Sequence, residues 1–166
     1  QLVARGEMQH DLVVAGKNLD EPYYQELLAD IEKLDLSNRI HLLGEVPYTQ
    51  ISQLYQDSVL FVFPSYLESF GHPLLEAMQA GVAILAADIE VSREIAADGA
   101  EYFEPMDSNA LATAIDRLLK DKVRREQLVL KGKQRVGYFS WTKTAREMGE
   151  IFNEFAPLVE CDRGVR

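Results

Sequence analysis

The stretch that decides the fold is Val59-Leu-Phe-Val-Phe63-Pro-Ser-Tyr-Leu-Glu68-Ser-Phe-Gly71-His-Pro73-Leu-Leu-Glu76-Ala-Met-Gln-Ala-Gly81. Its five leading apolar residues predict a buried strand, because β-branched and aromatic side chains dominate and Pro64 stops the run. A helix is predicted from near Pro73 to Gly81, since proline suits the first helical turn and glycine the position after the last. A strand, a loop and a helix in this order are typical of an α/β sheet.

The same alternation of strand and helix patterns extends outward on both sides. A further buried strand is predicted at Leu12–Ala15, and other strands are predicted at Ile40–Leu43, Ala83–Ala86 and Tyr102-Phe103. Three further helices are predicted to start at capping residues: one from Asp20 to Leu34, one after Thr49 and one after Ser140. Three others are predicted over Ser92–Ala97, from Ser108 or Asn109, and from about Val123. Near-continuous apolar strands between helices predict a doubly wound, Rossmann-like parallel sheet with helices on both faces, followed by C-terminal helices.

The apolar stripes of the helices predict which sides face the core. In the first helix the stripe comprises Tyr24, Leu27, Leu28, Ile31 and Leu34. In the last helix it comprises Trp141, Ala145, Met148, Ile151, Phe152 and Phe155, with Trp141 expected to anchor the helix. We expect Phe61, Phe63 and Phe70 to pack in the core and loop. Lys131, Lys133 and Arg135 are interpreted as a solvated basic face.

Composition limits the size, partners and compartment of the chain. Its 166 residues predict one domain over 1–166, with 155–166 as a tail. Seventeen Lys and Arg against 27 Asp and Glu give a net charge of −10, which argues against nucleic acid or an anionic membrane as partner. The lone Cys161 forms no internal disulfide and favours a cytoplasmic setting.

The loop between Phe63 and Pro73 is the best candidate ligand site. Open parallel sheets bind ligands beyond the carboxyl ends of their strands, and this loop leaves one such end and enters a helix N-terminus. The first amides of a helix lack partners inside the helix and carry the positive end of its dipole, so they attract anions. We expect Gly71 to give a phosphate room to approach.

Two carboxylates, Glu68 and Glu76, flank this loop with seven residues between them. A carboxylate accepts two parallel hydrogen bonds, which suits vicinal hydroxyls of a ribose or a hexose. The alternative interpretation makes Glu76 a first-turn residue that merely complements the helix dipole, and Glu68 a solvated loop charge.

The run Glu68-Ser-Phe-Gly-His-Pro-Leu-Leu-Glu76 after Pro64-Ser65 resembles the signature of the retaining glycosyltransferases of family 4, the "group 1" type, in the donor domain of their GT-B fold. Other segments resemble successive blocks of that family, covering roughly 11–155. These segments are Leu12-Val-Val-Ala-Gly16, Ile40-His-Leu-Leu-Gly-Glu-Val46, Asp88-Ile-Glu-Val-Ser-Arg-Glu-Ile-Ala96, Tyr102-Phe-Glu-Pro105 and Phe139-Ser-Trp141. Gly81-Val-Ala-Ile84 departs from the family's Gly-x-Pro-Val.

The resemblance implies roles for particular residues. Glu76 would hold the ribose hydroxyls, and Glu68 would bind the donor sugar and stabilise positive charge at its anomeric carbon as the catalytic residue. The remaining donor-binding positions would be the amides of Phe70, Gly71, His72 and Leu74 around the diphosphate, the backbone near Val46 at the base, and Gly16 with Lys17 beside the nucleotide. The ring of His72 is a further candidate, as a proton donor to the leaving phosphate. The resemblance implies no metal and no cofactor beyond the nucleoside diphosphate sugar.

The start of the chain departs from the family pattern. The family's donor domain begins with a strand followed by an Arg and a Lys that grip the diphosphate, whereas 1–7 reads as the end of the helix after that strand. We therefore expect the first strand to be missing. The gap between the strands at Leu12–Ala15 and Val59–Phe63 would close by direct pairing or be completed by another copy, with self-association.

The expected function is that of a donor-binding domain. The full-length parent would transfer a hexose from a nucleoside diphosphate sugar to a saccharide or lipid-linked acceptor with retention, in bacterial surface polysaccharide synthesis. It would lie in the cytoplasm or peripherally at the inner membrane face. Acceptor contacts would come from an N-terminal domain that this chain lacks, so the chain alone would be inactive. The alternative is a non-catalytic nucleotide-sugar-binding or interaction module of the same fold. A phosphoacceptor receiver domain would need strand-end aspartates that the sequence does not place.

Overall fold

A computed structural model describes residues 10–155 of the chain. Its strands are β1 (Leu12–Ala15), β2 (Ile40–Gly44), β3 (Leu60–Phe63), β4 (Ala83–Ala87) and β5 (Ala100–Phe103). Its helices are α1 (Glu21–Lys33), α2 (Tyr48–Asp57), α3 (His72–Ala80), α4 (Glu90–Ala96), α5 (Ser108–Lys120), α6 (Lys122–Val136) and α7 (Trp141–Phe155), and a 3-10 turn, Ala97–Gly99, joins α4 to β5. The predicted alternation of strands and helices is confirmed.

Local capping signals explain most of the helix starts. The Asp20 side chain accepts a hydrogen bond from the Tyr23 amide at 3.0 Å, and Ser140 Oγ accepts one from the Lys143 amide at 3.4 Å, as predicted. The predicted cap at Thr49 is wrong, because α2 already begins at Tyr48 and Pro47 occupies the capping position.

The strands form parallel ladders in two separate groups. In the first, β1 pairs with β2 so that Leu12 lies opposite Ile40. In the second, β4 lies between β3 and β5. Within residues 10–155, β1 and β3 do not pair, so the predicted direct closure between them is wrong. The prediction for 1–7 lies outside the described residues, and completion by another copy stays a prediction.

The core surrounds β4, whose five residues are all buried. Neighbouring side chains of a strand point to opposite faces, and the two faces of β4 therefore contribute to two different clusters. Ile84 and Ala86 join a cluster with α3 and α4, whereas Leu85 and Ala87 join a cluster with α5 and α6. Helices thus cover both faces of this half, as predicted.

The strand β1 is much more exposed than its apolar sequence predicts. The exposed fractions of Leu12, Val13 and Val14 are 43%, 47% and 41%. In α1, Ile31 is buried but Leu34 is 63% exposed. The prediction that β1 is a buried strand is therefore wrong for the described part of the chain. Pairing with β2 along one edge does not remove β1 from solvent, because a strand is buried only when its faces are covered as well.

The last helix keeps its predicted apolar stripe in solvent. No residue of α7 is buried, and Trp141 is 81% exposed. The predictions that this stripe faces the core and that Trp141 anchors the helix are wrong within residues 10–155.

None of the helices described there combines the length and the hydropathy needed to cross a membrane.

The basic residues of α6 stabilise other elements. Arg135 donates hydrogen bonds to the carbonyl oxygens of Glu94 and Ile95 at 2.5 and 3.1 Å, and its guanidinium carbon lies 5.1 Å from the centre of the Phe139 ring. A cation at the last carbonyls of a helix satisfies acceptors that the helix leaves open, here those of α4. The predicted solvated face is therefore wrong for Arg135, whereas Lys131 lies at the surface 3.6 Å from the Asp98 carboxylate.

Candidate functional site

The loop between β3 and α3 enters the helix through a left-handed glycine. Gly71 has a φ of 79°, a conformation that costs little only for glycine. A Cβ at this position would lie 3.3 Å from Leu74 Cδ1 and 3.9 Å from Phe63 Cε1. The missing side chain therefore makes room for the protein's own core. The expectation that Gly71 also gives a phosphate room to approach stays a prediction.

Three amides at the start of α3 lack a hydrogen-bond partner in the described part of the chain. The amides of Phe70, Gly71 and His72 make no hydrogen bond within residues 10–155. The Leu74 amide already donates to the Gly71 carbonyl at 3.0 Å, which corrects the expectation that it also serves the ligand. Because these three donors lie at the positive end of the helix, they form a cradle suited to an anion.

Aromatic packing fixes this loop. The rings of Phe70 and His72 lie 4.8 Å apart between centroids, and Phe139 packs edge-on against Phe70 at 6.3 Å. Phe61 and Phe63 lie 6.2 Å apart in and against the core cluster, as expected of packing residues. The side chain of His72 is exposed at the first position of α3.

Glu76 lies in the second turn of α3, because the helix begins at His72. The alternative interpretation as a first-turn dipole residue is therefore wrong. Its carboxylate accepts a hydrogen bond on each oxygen: Tyr48 donates to Oε1 and Tyr55 donates to Oε2, both at 3.2 Å. Both tyrosines come from α2, and their spacing of seven places them on one side of that helix. Sequence reasoning missed them, although this spacing is visible in the sequence.

Burial and the negative charge of Glu76 raise the pKa of the two phenols. The pKa of Tyr48 is raised by the negative charge of Glu76 and then by the hydrogen bond to it. The pKa of Tyr55 is raised well above its ordinary range, mainly by burial and then by the Glu76 charge. Because a protonated phenol is a donor, both hydroxyls stay directed at the carboxylate across the physiological pH range.

Glu68 lies in the loop itself, partly exposed to solvent. It makes no hydrogen bond or ion pair within the described residues, so its carboxylate is available for a ligand. The structure therefore places both glutamates on the segment that also carries the three amides. Their separate contacts distinguish them, since Glu76 is held in place and Glu68 is not.

The other predicted site residues follow β1 and β2. The Gly16 amide donates to the Gly44 carbonyl at 2.9 Å, which joins the carboxyl ends of the two strands. Lys17 is exposed after Gly16, and Val46 is partly buried two residues before α2. Because α2 also carries Tyr48, the segment with Val46 leads directly to the Glu76 carboxylate.

A second polar region lies after β4. Arg93 binds the Asp88 carboxylate through two nitrogens and lies 4.5 Å above the centre of the Tyr102 ring. The hydrogen bond from Arg93 is the main cause that lowers the pKa of Asp88. A cavity of about 290 Å³ beside them is lined by Arg93, Arg124 and Lys131. Each of these cations has an acidic partner, Asp88, Glu101 or Asp98, and this leaves the cavity less suited to an anion than the start of α3.

Metal-ligating side chains do not gather anywhere in residues 10–155: no group of three or more His, Cys, Asp or Glu could hold an ion there. The candidate site of this part of the chain thus consists of backbone amides, two carboxylates and two phenols.

Comparison with known proteins relates this site to a family. The family model of the group 1 glycosyl transferases matches residues 2–135. The chain is 30% identical over 135 residues to the O-antigen chain mannosyltransferase B of Escherichia coli, covering 81% of this chain and 35% of that protein. It is 32% identical over 124 residues to the phosphatidyl-myo-inositol mannosyltransferase of Mycobacterium leprae, covering 73% of this chain and 33% of that protein. The chain spans about a third of the length of the curated relatives it matches.

Solved structures share the fold. The sucrose-phosphate synthase of Thermosynechococcus elongatus superposes with a TM-score of 0.82 at 25% identity, over 95% of this chain and 42% of that one. The Anabaena protein HepE, solved with UDP and glucose, superposes with a TM-score of 0.80 at 24% identity, over 87% of this chain and 40% of that one. The parallel strands flanked by helices are thus those of a GT-B glycosyltransferase domain, and this chain belongs to the group 1 family of glycosyltransferases.

Proposed function

We propose that this chain is the donor-binding domain of a glycosyltransferase that moves a hexose from a nucleoside diphosphate sugar to a saccharide or lipid-linked acceptor with retention. The observation that carries the proposal is the combination at α3: three amides without partners at the helix start and the Glu76 carboxylate one turn further on. An anion cradle next to a diol-binding carboxylate suits a diphosphate attached to a ribose.

The chemistry divides among the site residues. The amides of Phe70, Gly71 and His72, together with the dipole of α3, stabilise the negative charge that grows on the diphosphate as its bond to the sugar breaks. Glu76 holds the ribose hydroxyls. Glu68 binds the donor sugar and stabilises positive charge at the anomeric carbon, while Gly16, Lys17 and the backbone near Val46 border the nucleotide. No metal ion is required, because the amides and the helix dipole perform its electrostatic role.

The names of similar proteins support a nucleotide-sugar substrate. HepE was solved with UDP and with UDP-glucose, and two similar bacterial proteins are O-antigen chain mannosyltransferases. We therefore place the full-length protein in surface polysaccharide synthesis, in the cytoplasm or peripherally at the inner membrane face. The acceptor is bound outside these 166 residues, and the chain alone binds nucleotide without transferring sugar.

Replacing the two glutamates separately tests this assignment in the full-length protein. We expect Glu76→Ala to weaken nucleoside diphosphate binding by about 10- to 150-fold, because charge-assisted hydrogen bonds contribute about 1.5–3 kcal/mol. Glu68→Ala should lower kcat while the affinity for nucleoside diphosphate changes by less than about threefold. Titration calorimetry and a transfer assay with and without a chelator measure these effects.

Glu126→Ala is the matched control, since Glu126 is an exposed helical glutamate on α6, far along the chain from the loop. It should change neither binding nor turnover. Unaltered donor affinity and rate in both Glu76→Ala and Glu68→Ala would show that the site is elsewhere. Loss of transfer on chelation would show that a metal is needed.

A further inference from the structure

The two tyrosines that hold Glu76 differ in their surroundings. Tyr55 is half-buried, and its ring packs edge-on against Phe61 at 5.0 Å, with the two ring planes at 89°. Tyr48 begins α2 and is 77% exposed. The hydroxyl of Tyr55 is therefore fixed by its ring, whereas that of Tyr48 approaches the carboxylate from the solvent side.

Their hydrogen bonds divide evenly over the carboxylate. An ionised carboxylate offers about four acceptor positions, two on each oxygen. Tyr48 takes one on Oε1 and Tyr55 takes one on Oε2. One acceptor position therefore remains on each oxygen, which is the pair that two neighbouring hydroxyls of a ribose need.

The protein groups that hydrogen-bond to this carboxylate are neutral. Among residues 10–155, no Lys, Arg or His forms an ion pair with Glu76. The two neutral phenols orient the group without neutralising it, so the remaining acceptor positions form charge-assisted hydrogen bonds, which are stronger than neutral ones. A cation in the place of either phenol would compete with the ligand's hydroxyls for the same oxygens.

We propose that Tyr48 and Tyr55 are positioning residues that orient Glu76 toward a vicinal diol and thereby make the site selective for ribonucleotides over 2′-deoxyribonucleotides. This inference rests on the proposed function, because it assumes that Glu76 meets the ribose of the donor. Without the phenols the carboxylate rotates about its side-chain torsions and no longer presents one acceptor to each hydroxyl at once. The 2′-deoxy ligand has only one of these hydroxyls and gains less from the orientation.

The test is titration calorimetry of the full-length protein with uridine and guanosine diphosphates and their 2′-deoxy forms. The wild type should bind at least one ribose form more tightly than its 2′-deoxy form by about tenfold or more. Tyr55→Phe should reduce this preference by about three- to tenfold, mainly through weaker binding of the ribose form. Tyr48→Phe should reduce it by about two- to threefold, because its exposed hydroxyl competes with water. Tyr23→Phe, an exposed tyrosine of α1, should leave it unchanged.

Each result separates this inference from the function it rests on. If the wild type binds none of the four nucleotides, the proposed function and this inference fall together. If the wild type prefers ribose and Glu76→Gln lowers the preference, but both tyrosine variants keep it in full, only the positioning role is wrong. Equal weakening of ribose and 2′-deoxy binding in Tyr55→Phe would show a purely structural tyrosine. The exposed position of Tyr48 keeps Tyr48→Phe informative even if Tyr55→Phe folds poorly.

Discussion

Two strands of similar composition, β1 and β4, have opposite environments in this protein. All five residues of β4 are buried, whereas the three large side chains of β1 are between 41% and 47% exposed. The difference arises from their neighbours: β4 has a strand on each edge and helices on both faces, and β1 pairs only with β2 in the described part of the chain. An apolar sequence therefore indicates a strand, but its neighbours decide whether it is buried.

The candidate site joins these two halves. Glu76 belongs to α3, which packs against the β3–β5 sheet, and the three amides lie at the start of that helix. Tyr48 and Tyr55 belong to α2, which follows β2. The proposed binding of a ligand at Glu76 would therefore depend on both halves. Matched substitutions in the two halves should therefore have different effects.

The largest expected effect comes from one leucine in each half. Leu85 of β4 is fully buried, and Leu85→Ala should lower the free energy of unfolding by about 2–5 kcal/mol, because a cavity is left in the core. Leu12 of β1 is 43% exposed, so Leu12→Ala should lower it by about 1 kcal/mol or less. Urea unfolding followed by circular dichroism measures both. Equal losses would mean that β1 is covered by a segment outside residues 10–155.

Two left-handed glycines give the next comparison. Gly44 has a φ of 65° with nothing near the position of a Cβ, whereas Gly71 has a φ of 79° and a Cβ there would lie 3.3 Å from Leu74. Both alanine substitutions force a side chain into the left-handed region, at about 1 kcal/mol each. Gly71→Ala should cost about 1 kcal/mol more, because Leu74 must move.

The same urea measurement gives both values, and their difference isolates the packing contribution at the start of α3. Similar losses in Gly44→Ala and Gly71→Ala would show that Leu74 adapts freely. The loop that carries the site would then be less rigid than its contacts indicate.

Local signals in the sequence located the elements and the site loop. Pro64 and Gly81 delimit β3 and α3 because their effects act on the neighbouring residues. The sequence placed the loop and the phenylalanine packing correctly, and the roles of the two glutamates stay predictions. It did not reveal that a Cβ at Gly71 would contact Leu74, since the direction of a missing Cβ depends on the backbone angles of the turn.

Contacts between distant segments were harder to predict. The bond from Tyr48 to Glu76 spans 28 residues and the bonds from Arg135 to α4 span about 40. No local pattern encodes which helices pack together, so the phenols around Glu76 and the role of Arg135 appeared only in the structure. The exposed stripe of α7 is a similar case: its periodicity identifies an apolar face but not whether that face is covered.

The smallest expected effect concerns Tyr102 of β5 and alkaline pH. Burial raises the pKa of Tyr102 to about 12, and its hydroxyl donates to the Ala97 carbonyl at 2.6 Å. Because the folded protein holds this proton more tightly than the unfolded chain, whose phenols ionise near pH 10, the contribution to stability is complete below pH 10 and declines as the pH rises toward 12. Tyr102→Phe should therefore flatten the loss of stability between pH 10 and 12, and it should remove a late step from the phenolate absorbance at 295 nm. Tyr55→Phe removes another late phenol, one that lies between the two halves, and it serves as the comparison. An unchanged late step in Tyr102→Phe would show that this phenol is open to solvent, and the β3–β5 half would then be less tightly closed than the burial of β4 indicates.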